Sequence, residues 1–506
     1  MSWKKYREHF KLHRMDEDHF VLGLDFGNAT SAIAYFDVIR ENAEILDISG
    51  GYGKPAAPTA LQYIAASKEW IFGEYAILNA NGQDSLLTGF AENLGGGAYL
   101  DIGDGNRSVV DIAAIYIEEL IANCRSINPK AVVSGIVAVV PDFVASEAKT
   151  ALSAAVAKAG YENLLIDLVE ERQAVFAFCH HNKIAANKLM WLDFGDRGLR
   201  GGLYEIKDDY NTIECLAADF NEELGSAFID REIYNLLAGF YCRTQKTQLD
   251  ELSKTEQEQI LTFAYGHKDV LLNNDGKDTR IYYNFVYPPF SEVVSASRIA
   301  GMAWAWENGL EDFVNRLLGN HFTDDITVIC TGGGFEMPWA KKKIAQIFDT
   351  KQLYLQKNPK GILAQGATLY AAQKLELLRS PKFEIADGHK TQVDIGISIT
   401  QGGKQRFYAI IERGSWLWQK PKTTYIIPTG ENAEIELLTR DETGRISPLG
   451  IAKFKSMPKR PQGTTRIALD LEPTDNDRYT VKIKDLGFGE IYPATGLVER
   501  FDMRIV

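Results

Sequence analysis

The stretch Val21-Leu22-Gly23-Leu24-Asp25-Phe26-Gly27 is apolar until it reaches an Asp and then turns at a Gly, and Leu189-Met190-Trp191-Leu192-Asp193-Phe194-Gly195 repeats that pattern. Each run predicts a buried strand, followed by a second strand at Ser31 to Phe36 in one copy and at Gly202 to Ile206 in the other. Asp25 and Asp193 lie 168 positions apart. A strand–turn–strand hairpin duplicated at that distance predicts two similar lobes facing each other across a cleft. Turn glycines let backbone N–H groups approach an anion closely, and the two carboxylates could hold a hydrated cation between them. Together the two stretches point to a bilobed nucleotide-binding protein.

The composition narrows the partners. The chain has 506 residues, of which 45% are hydrophobic and 24% charged, which suits a soluble globular protein of about three domains or subdomains. Its 68 acidic against 55 basic residues leave a net charge of −13, which argues against nucleic acid as a partner. The longest apolar run, Ala131 to Pro141, is about half of what a bilayer requires, so no membrane is expected. Residues 1–19 carry Lys4, Lys5, Arg7, Lys11 and Arg14 among aromatics and read as a solvated extension without a signal-peptide core. Cys124, Cys179, Cys215, Cys242 and Cys330 show no pairing or CxxC spacing, which favours buried thiols in a reducing, cytoplasmic compartment. The eight histidines show no ligand spacing.

Outward from the hairpins, the chain alternates strands and helices. Helical spacing marks Asp111 to Cys124, Ser146 to Lys158 and Glu171 to His181, with strands at Val132 to Val140 and Leu164 to Val169 between them. This alternation predicts a sheet layered by helices. Leu224-Gly225-Ser226 opens a helix running through Ala238, and the polar stretch from Thr244 to Pro289 reads as an irregular helical-plus-strand subdomain. A long amphipathic helix covers Ser295 to Leu318, with Trp304, Trp306 and Trp339 expected in the core. The strand Ile326 to Cys330 runs into Thr331-Gly332-Gly333-Gly334, and a last helix spans Gly361 to Leu378. From Gln392 onward only period-two segments recur between turn signals, which predicts an all-β domain.

Two Asp-Phe-Gly hairpins, an intervening βαβα unit and a strand–Gly-Gly-Gly–helix element, in this order, resemble the actin-like ATPases, and within them the seventy-kilodalton heat-shock chaperone family. Leu24 to Ser31 stands where the family has its first phosphate loop, and Leu192 to Gly202 where it has its second. Val139-Val140-Pro141-Asp142-Phe143 resembles the family's valine-proline-aromatic turn, with Lys149 at the place of a coupled arginine. Glu170 with Gln173 to Phe178 resembles the connecting helix, Thr331 to Pro338 with Asn358-Pro359-Lys360 the adenosine loop, and Leu224-Gly225-Ser226 a phosphate contact. The resemblance covers residues from about 20 to the end.

It implies an α/β fold: a bilobed actin-like ATPase domain of duplicated ribonuclease H-like lobes over 20–379, with the second hairpin from about 188. A linker at 380–391 and a β-sandwich at 392–506 without a helical lid follow. It implies ATP or ADP with Mg2+ as cofactor, Asp25 and Asp193 as metal-holding and catalytic groups, and Glu170 as a third catalytic group. The nucleotide-binding residues it implies are Gly27, Asn28, Ala29, Gly195, Gly198, Gly225, Lys268, Gly332, Gly333, Gly334 and Asn358. The implied partner is an unfolded peptide, or one specific protein, bound through the β domain of a monomer.

The departures share a direction. Two threonines of the family's first loop are Asn28 and Ala29 here, and its triple glycine followed by threonine reads Gly195-Asp196-Arg197-Gly198. The segment that carries the family's catalytic lysine corresponds to Gly89-Phe90-Ala91-Glu92-Asn93, which has no basic residue, and Glu336 replaces an adenine-stacking arginine. On the adenosine-gripping helix, Tyr265, Lys268, Asp269 and Leu272 keep only the lysine. Phosphoryl transfer depends on positioning and positive electrostatic stabilisation, so hydrolysis is expected to be weak or lost. The alternatives are a pseudo-ATPase scaffold that binds no nucleotide and a small-metabolite kinase on the same fold.

Overall fold

The computed structural model describes residues 19–48, 55–79, 85–122, 132–141, 146–184, 187–207, 212–273, 276–319, 321, 323–355, 358–378, 384–386, 391, 393–401, 404–413, 415, 422–428, 433–441, 444–455, 458, 460–461, 463–475 and 478–504. The architecture is mixed α/β. It divides into two compact units, Met1–Ile213 with Asn221–Glu384, and Glu214–Phe220 with Ile385–Val506.

In the first unit, the strand His19–Phe26 pairs in parallel with Val132–Val140 on one side and antiparallel with Thr30–Asp37 on the other. Leu165–Glu170 and Asn42–Ile45 extend this sheet at its two ends. Val21, Leu22 and Leu24 are fully buried because helices cover both faces of the sheet. Ile112, Tyr116 and Leu120 of the helix Val109–Ala122 share a core with Leu22, Leu24, Ile136 and Ala138. On the other face the helix Ile362–Lys374 comes so close that a Cβ on Gly23 would lie 2.2 Å from the Ala364 carbonyl oxygen.

A second sheet has a related order. Lys188–Phe194 pairs in parallel with Ile326–Thr331 and antiparallel with Leu199–Lys207, and Leu353–Tyr354 adds in parallel beyond Ile326–Thr331. Met190, Trp191 and Leu192 are buried here as their counterparts are in the first sheet.

The stretch between Thr244 and Pro289, polar in sequence and expected as a helical-plus-strand subdomain, holds a long helix and the first strand of a hairpin. Ser253 caps the helix Lys254–Leu272, and the Glu256 carboxylate returns to accept from the Ser253 N–H at 2.9 Å, a reciprocal capping box. The hairpin Thr279–Tyr283 with Phe290–Val294 packs on that helix through Ile281, Tyr283 and Val294, with Tyr283 stacked on Phe290 at 4.3 Å. Aromatic packing outweighs the polar composition of the stretch.

One core expectation is corrected by helical geometry. Trp306 and Trp339 are buried with ring centroids 5.8 Å apart, whereas Trp304 is 68% exposed. Two residues along the helix Ala296–Leu318 amount to a little over half a turn, so Trp304 and Trp306 point to different sides.

The second unit is antiparallel. One four-stranded sheet runs Lys404–Ile411, Asp394–Gln401, Ala433–Arg440, Ile446–Phe454, and the other Lys422–Ile426, Arg466–Asp475, Arg478–Gly487, Val498–Arg504. Ile467, Leu469 and Leu471 alternate inward beside Tyr479, Val481 and Ile483, and they share one core with Ile395, Ile397, Leu437 and Phe454. The linker expected over 380–391 lies largely outside the described residues; within it Glu384–Ala386 is a strand.

Candidate functional site

The two Asp-Phe-Gly turns follow strands of two different sheets, and the Asn28 side chain beside the first reaches Asp196 beside the second. In the first turn, the Thr59 hydroxyl donates to the Gly27 carbonyl at 2.7 Å and the Thr59 N–H to the Ala29 carbonyl at 2.8 Å. In the second, the Gly195 N–H donates to the Gly198 carbonyl at 3.0 Å, which closes the loop. The start of the helix Ser226–Gln245 then locks onto that loop, with Ser226 N–H to the Gly195 carbonyl at 2.9 Å and Ala227 N–H to the Asp196 carbonyl at 3.1 Å. Gly195, Gly198 and Gly225 therefore converge. A Cβ on Gly225 would fall 2.2 Å from the Asp196 carbonyl oxygen and 2.6 Å from the Gly198 nitrogen. Replacing Gly225 by Ala is expected to push this loop off the helix start and to cost about 1–3 kcal/mol in urea unfolding, the usual range for overpacking.

The turns are tied to each other directly. The Asn28 side-chain amide donates to Asp196 Oδ2 at 2.7 Å, and these residues are 168 positions apart, the same separation as Asp25 and Asp193. The other end of Asn28 accepts from the Glu92 N–H at 3.1 Å, and Arg197 forms an ion pair with the Glu92 carboxylate. Burial raises the Asp196 carboxyl above its ordinary range, and the Asn28 hydrogen bond opposes that rise. Farther along, the Tyr265 hydroxyl donates to Glu74 at 3.0 Å, and Lys268 pairs with Asp230.

Beneath the turns lies a carboxylate cluster. Asp193 is buried, and its Oδ1 accepts from the Thr331 hydroxyl at 2.7 Å while Thr331 in turn accepts from the Trp191 indole at 2.9 Å. Asp193 and Arg200 face each other across the second hairpin. The Arg200 guanidinium places Nε 3.5 Å from Asp193 Oδ2, and its Nη1 donates to both oxygens of buried Glu171 at 3.0 and 2.9 Å. Asp25 is half-buried at the end of its strand; desolvation, with the like charge of Asp193 adding and Arg200 opposing, pushes its carboxyl up to about 7.

Sequence reasoning singled out Glu170, and the structure places it at the start of the helix Glu171–His181, where Gln173 accepts from its N–H at 3.0 Å. Its carboxylate is held by Arg172 at 2.8 Å and Lys149 at 3.7 Å. The neighbouring Glu171 is the carboxylate that joins Arg200. Neither Glu171 nor Arg200 was singled out from the sequence. The register of the hairpin, with a tight turn between Asp193 and Arg200, was the available signal.

The triglycine segment is packed against Phe194 and Lys360. Gly332 has φ 85°, and a Cβ there would sit 2.5 Å from the Phe194 carbonyl oxygen. A Cβ on Gly334 would strike the Phe194 ring at 2.1 Å, and one on Gly333 would meet the Lys360 stem at 2.4 Å. Lys360 pairs with Glu336 at 3.5 Å, and Asn358 precedes the short turn Pro359–Gly361 that begins the last helix. Asp142 and Phe143 lie outside the described residues. Among the described residues, no helix is long and apolar enough to cross a membrane.

Two family models match the chain. One, described as Hsp70 protein, matches residues 96–415, more than half of the chain. The other, described as a domain of unknown function (DUF8552), matches residues 390–505.

Proposed function

The chain belongs to the Hsp70 protein family, and from that premise we propose a chaperone-like protein whose nucleotide domain binds ATP or ADP with weak or lost hydrolysis. The related order of the two sheets in the first unit supports reading them as the duplicated lobes of an actin-like ATPase domain over 20–379. The two antiparallel sheets sharing one core support reading 392–506 as a truncated β-sandwich that takes an unfolded peptide or a specific partner.

In this reading Gly27, Asn28 and Ala29 face the phosphates from one lobe, and Gly195, Gly198 and Gly225 from the other. Gly332, Gly333, Gly334, Asn358 and Lys268 flank the nucleoside. Asp25 and Asp193 are the groups nearest the reacting phosphoryl, with Glu170 at the start of the connecting helix.

The observation that carries weak or lost hydrolysis is the direct Asn28–Asp196 hydrogen bond of 2.7 Å between the two turns. A transferring phosphoryl group gathers negative charge, and catalysis consists largely of placing donors and cations around it. Here the second turn presents a carboxylate, and the charge of Arg197 is neutralised by Glu92. Any phosphate entering between the turns has to displace Asn28 from Asp196 and then face that acid.

The same bridge favours a second reading, a scaffold whose lobes stay closed and bind no nucleotide. Tyr265 reaching Glu74 adds to it. Calorimetric titration of the purified chain with ADP and ATP separates the two. The proposal expects saturable binding in the micromolar range. No heat, together with an unchanged melting temperature at millimolar nucleotide, would leave the scaffold standing.

A further inference from the structure

The magnesium ion that the family resemblance implies does not fit Asp193 and Glu171, the two carboxylates around Arg200. A hydrated divalent ion needs carboxylate oxygens that can accept from its water shell and no fixed positive charge beside them. Asp193 has Oδ1 engaged by Thr331 at 2.7 Å and Oδ2 facing the Arg200 guanidinium at 3.5 Å. Glu171 has both oxygens on Arg200, at 3.0 and 2.9 Å. Among the described residues, no group of three or more His, Cys, Asp or Glu side chains is arranged to hold a metal ion.

Arg200 is itself a cation in this place. A guanidinium stays protonated throughout the accessible pH range and presents a planar fork suited to carboxylates and phosphates. It is held from two directions, by the hairpin partner Asp193 and by Glu171 at the start of another helix. Its Nη2 lies 3.7 Å from where a side chain on Gly195 would begin, so one edge of the fork faces the second turn. Its charge also opposes the desolvation of Asp25.

We propose that Arg200 is a resident cation that replaces the divalent metal at this cluster, so that the cleft takes a nucleoside diphosphate or triphosphate without magnesium. The proposal rests on the nucleotide-binding reading and deepens it: the phosphate charge is met by a side chain fixed in the fold. Affinity then becomes independent of free divalent metal.

The test is calorimetric titration of the full chain with ADP in excess EDTA and in millimolar Mg2+, with Mn2+ alone titrated in parallel by electron paramagnetic resonance. The expected result is an ADP affinity that agrees within about twofold between the two buffers, with no Mn2+ held by the chain. Arg200→Gln is expected to bind ADP about tenfold more weakly in EDTA and to regain affinity when Mg2+ is added. Binding that needs Mg2+ in the unaltered chain would overturn the resident-cation role and leave the nucleotide reading intact. Absence of ADP binding in both buffers would overturn the nucleotide reading, and this proposal with it. Should Arg200→Gln fail to fold, the comparison of buffers on the unaltered chain still decides. Arg200→Lys, which keeps the charge, is expected to retain metal-independent binding.

Discussion

Arg460→Met is expected to destabilise the C-terminal β unit by about 3–5 kcal/mol, the cost of leaving a buried carboxylate without its partner. Asp485 is fully buried and Arg460 nearly so, and they form a two-pronged pair at 2.7 and 2.9 Å. The remaining capacity of the carboxylate is filled by the N–H groups of Gly487 and Thr495 at 3.0 and 2.8 Å and by the Thr495 hydroxyl at 2.8 Å. Arg460 also donates to the Pro493 carbonyl at 2.7 Å, so the pair ties down both ends of the segment after the strand Arg478–Gly487. Domains of this size have about 5–15 kcal/mol in all, so the loss is a large fraction of the total. Hydrogen exchange on the full chain should show the loss in amides of 385–506.

The pH dependence carries a second signature of the same pair. Burial raises the Asp485 carboxyl, but the hydrogen bonds from Arg460, Thr495 and Gly487 outweigh it and hold the group well below the usual carboxylate range. A depressed carboxylate contributes stability that is present above its unfolded pKa of about 4 and is lost as pH falls below that value. In Arg460→Met the buried acid loses its cation, and its stability should instead improve as pH falls and the carboxyl protonates. The difference between variant and parent should therefore shrink as pH falls, first above about pH 4 as the variant's raised carboxyl protonates, and further below it as the parent loses its own contribution. A difference that is constant across pH would mean that Arg460 acts only by filling space.

Gly366→Val is expected to cost about 3 kcal/mol or more, at the upper end of overpacking effects, because its neighbour is main chain. A Cβ at Gly366 would lie 2.0 Å from the Ala174 carbonyl oxygen and 2.5 Å from its carbon. Neither can rotate away, so the helix Glu171–His181 has to move as a body. Higher helix propensity of the new residue recovers well under 1 kcal/mol. The displacement matters for function as well, since that helix begins with Glu171, the residue that holds Arg200. Thermal melting should fall, and any ADP affinity should fall with it. A lowered melting point with unchanged affinity would separate Glu171 from the nucleotide site.

Much of the architecture was legible in the sequence because buried strands and tight turns leave local marks. The paired Asp-Phe-Gly runs and the triglycine at 332–334 are such marks. Other elements were hidden by residues that usually break them. The strand Ile446–Phe454 contains Pro448 and Gly450, which the ladder accommodates with a register shift between Leu437 and Leu438 on its neighbour. Short Lys422–Ile426 and the terminal Val498–Arg504 were missed for want of a long alternation.

At the site, the identity of the turns was legible and their interactions were not. Arg200 reads along the chain as one more basic residue after a turn, and its partners Asp193 and Glu171 become visible only once register and helix direction are known. Glu170 and Glu171 are adjacent acids, and the chain alone does not say which one faces inward. Asn28 and Asp196 read as two separate departures from a family pattern; in three dimensions they are one hydrogen bond.

We propose a nucleotide domain whose hydrolysis is weak or lost. Single-turnover reaction of the full chain, in excess over labelled ATP, tests it most directly. The account predicts that bound ATP is recovered essentially intact over hours. Conversion to ADP within minutes, abolished by Asp193→Asn, would contradict it.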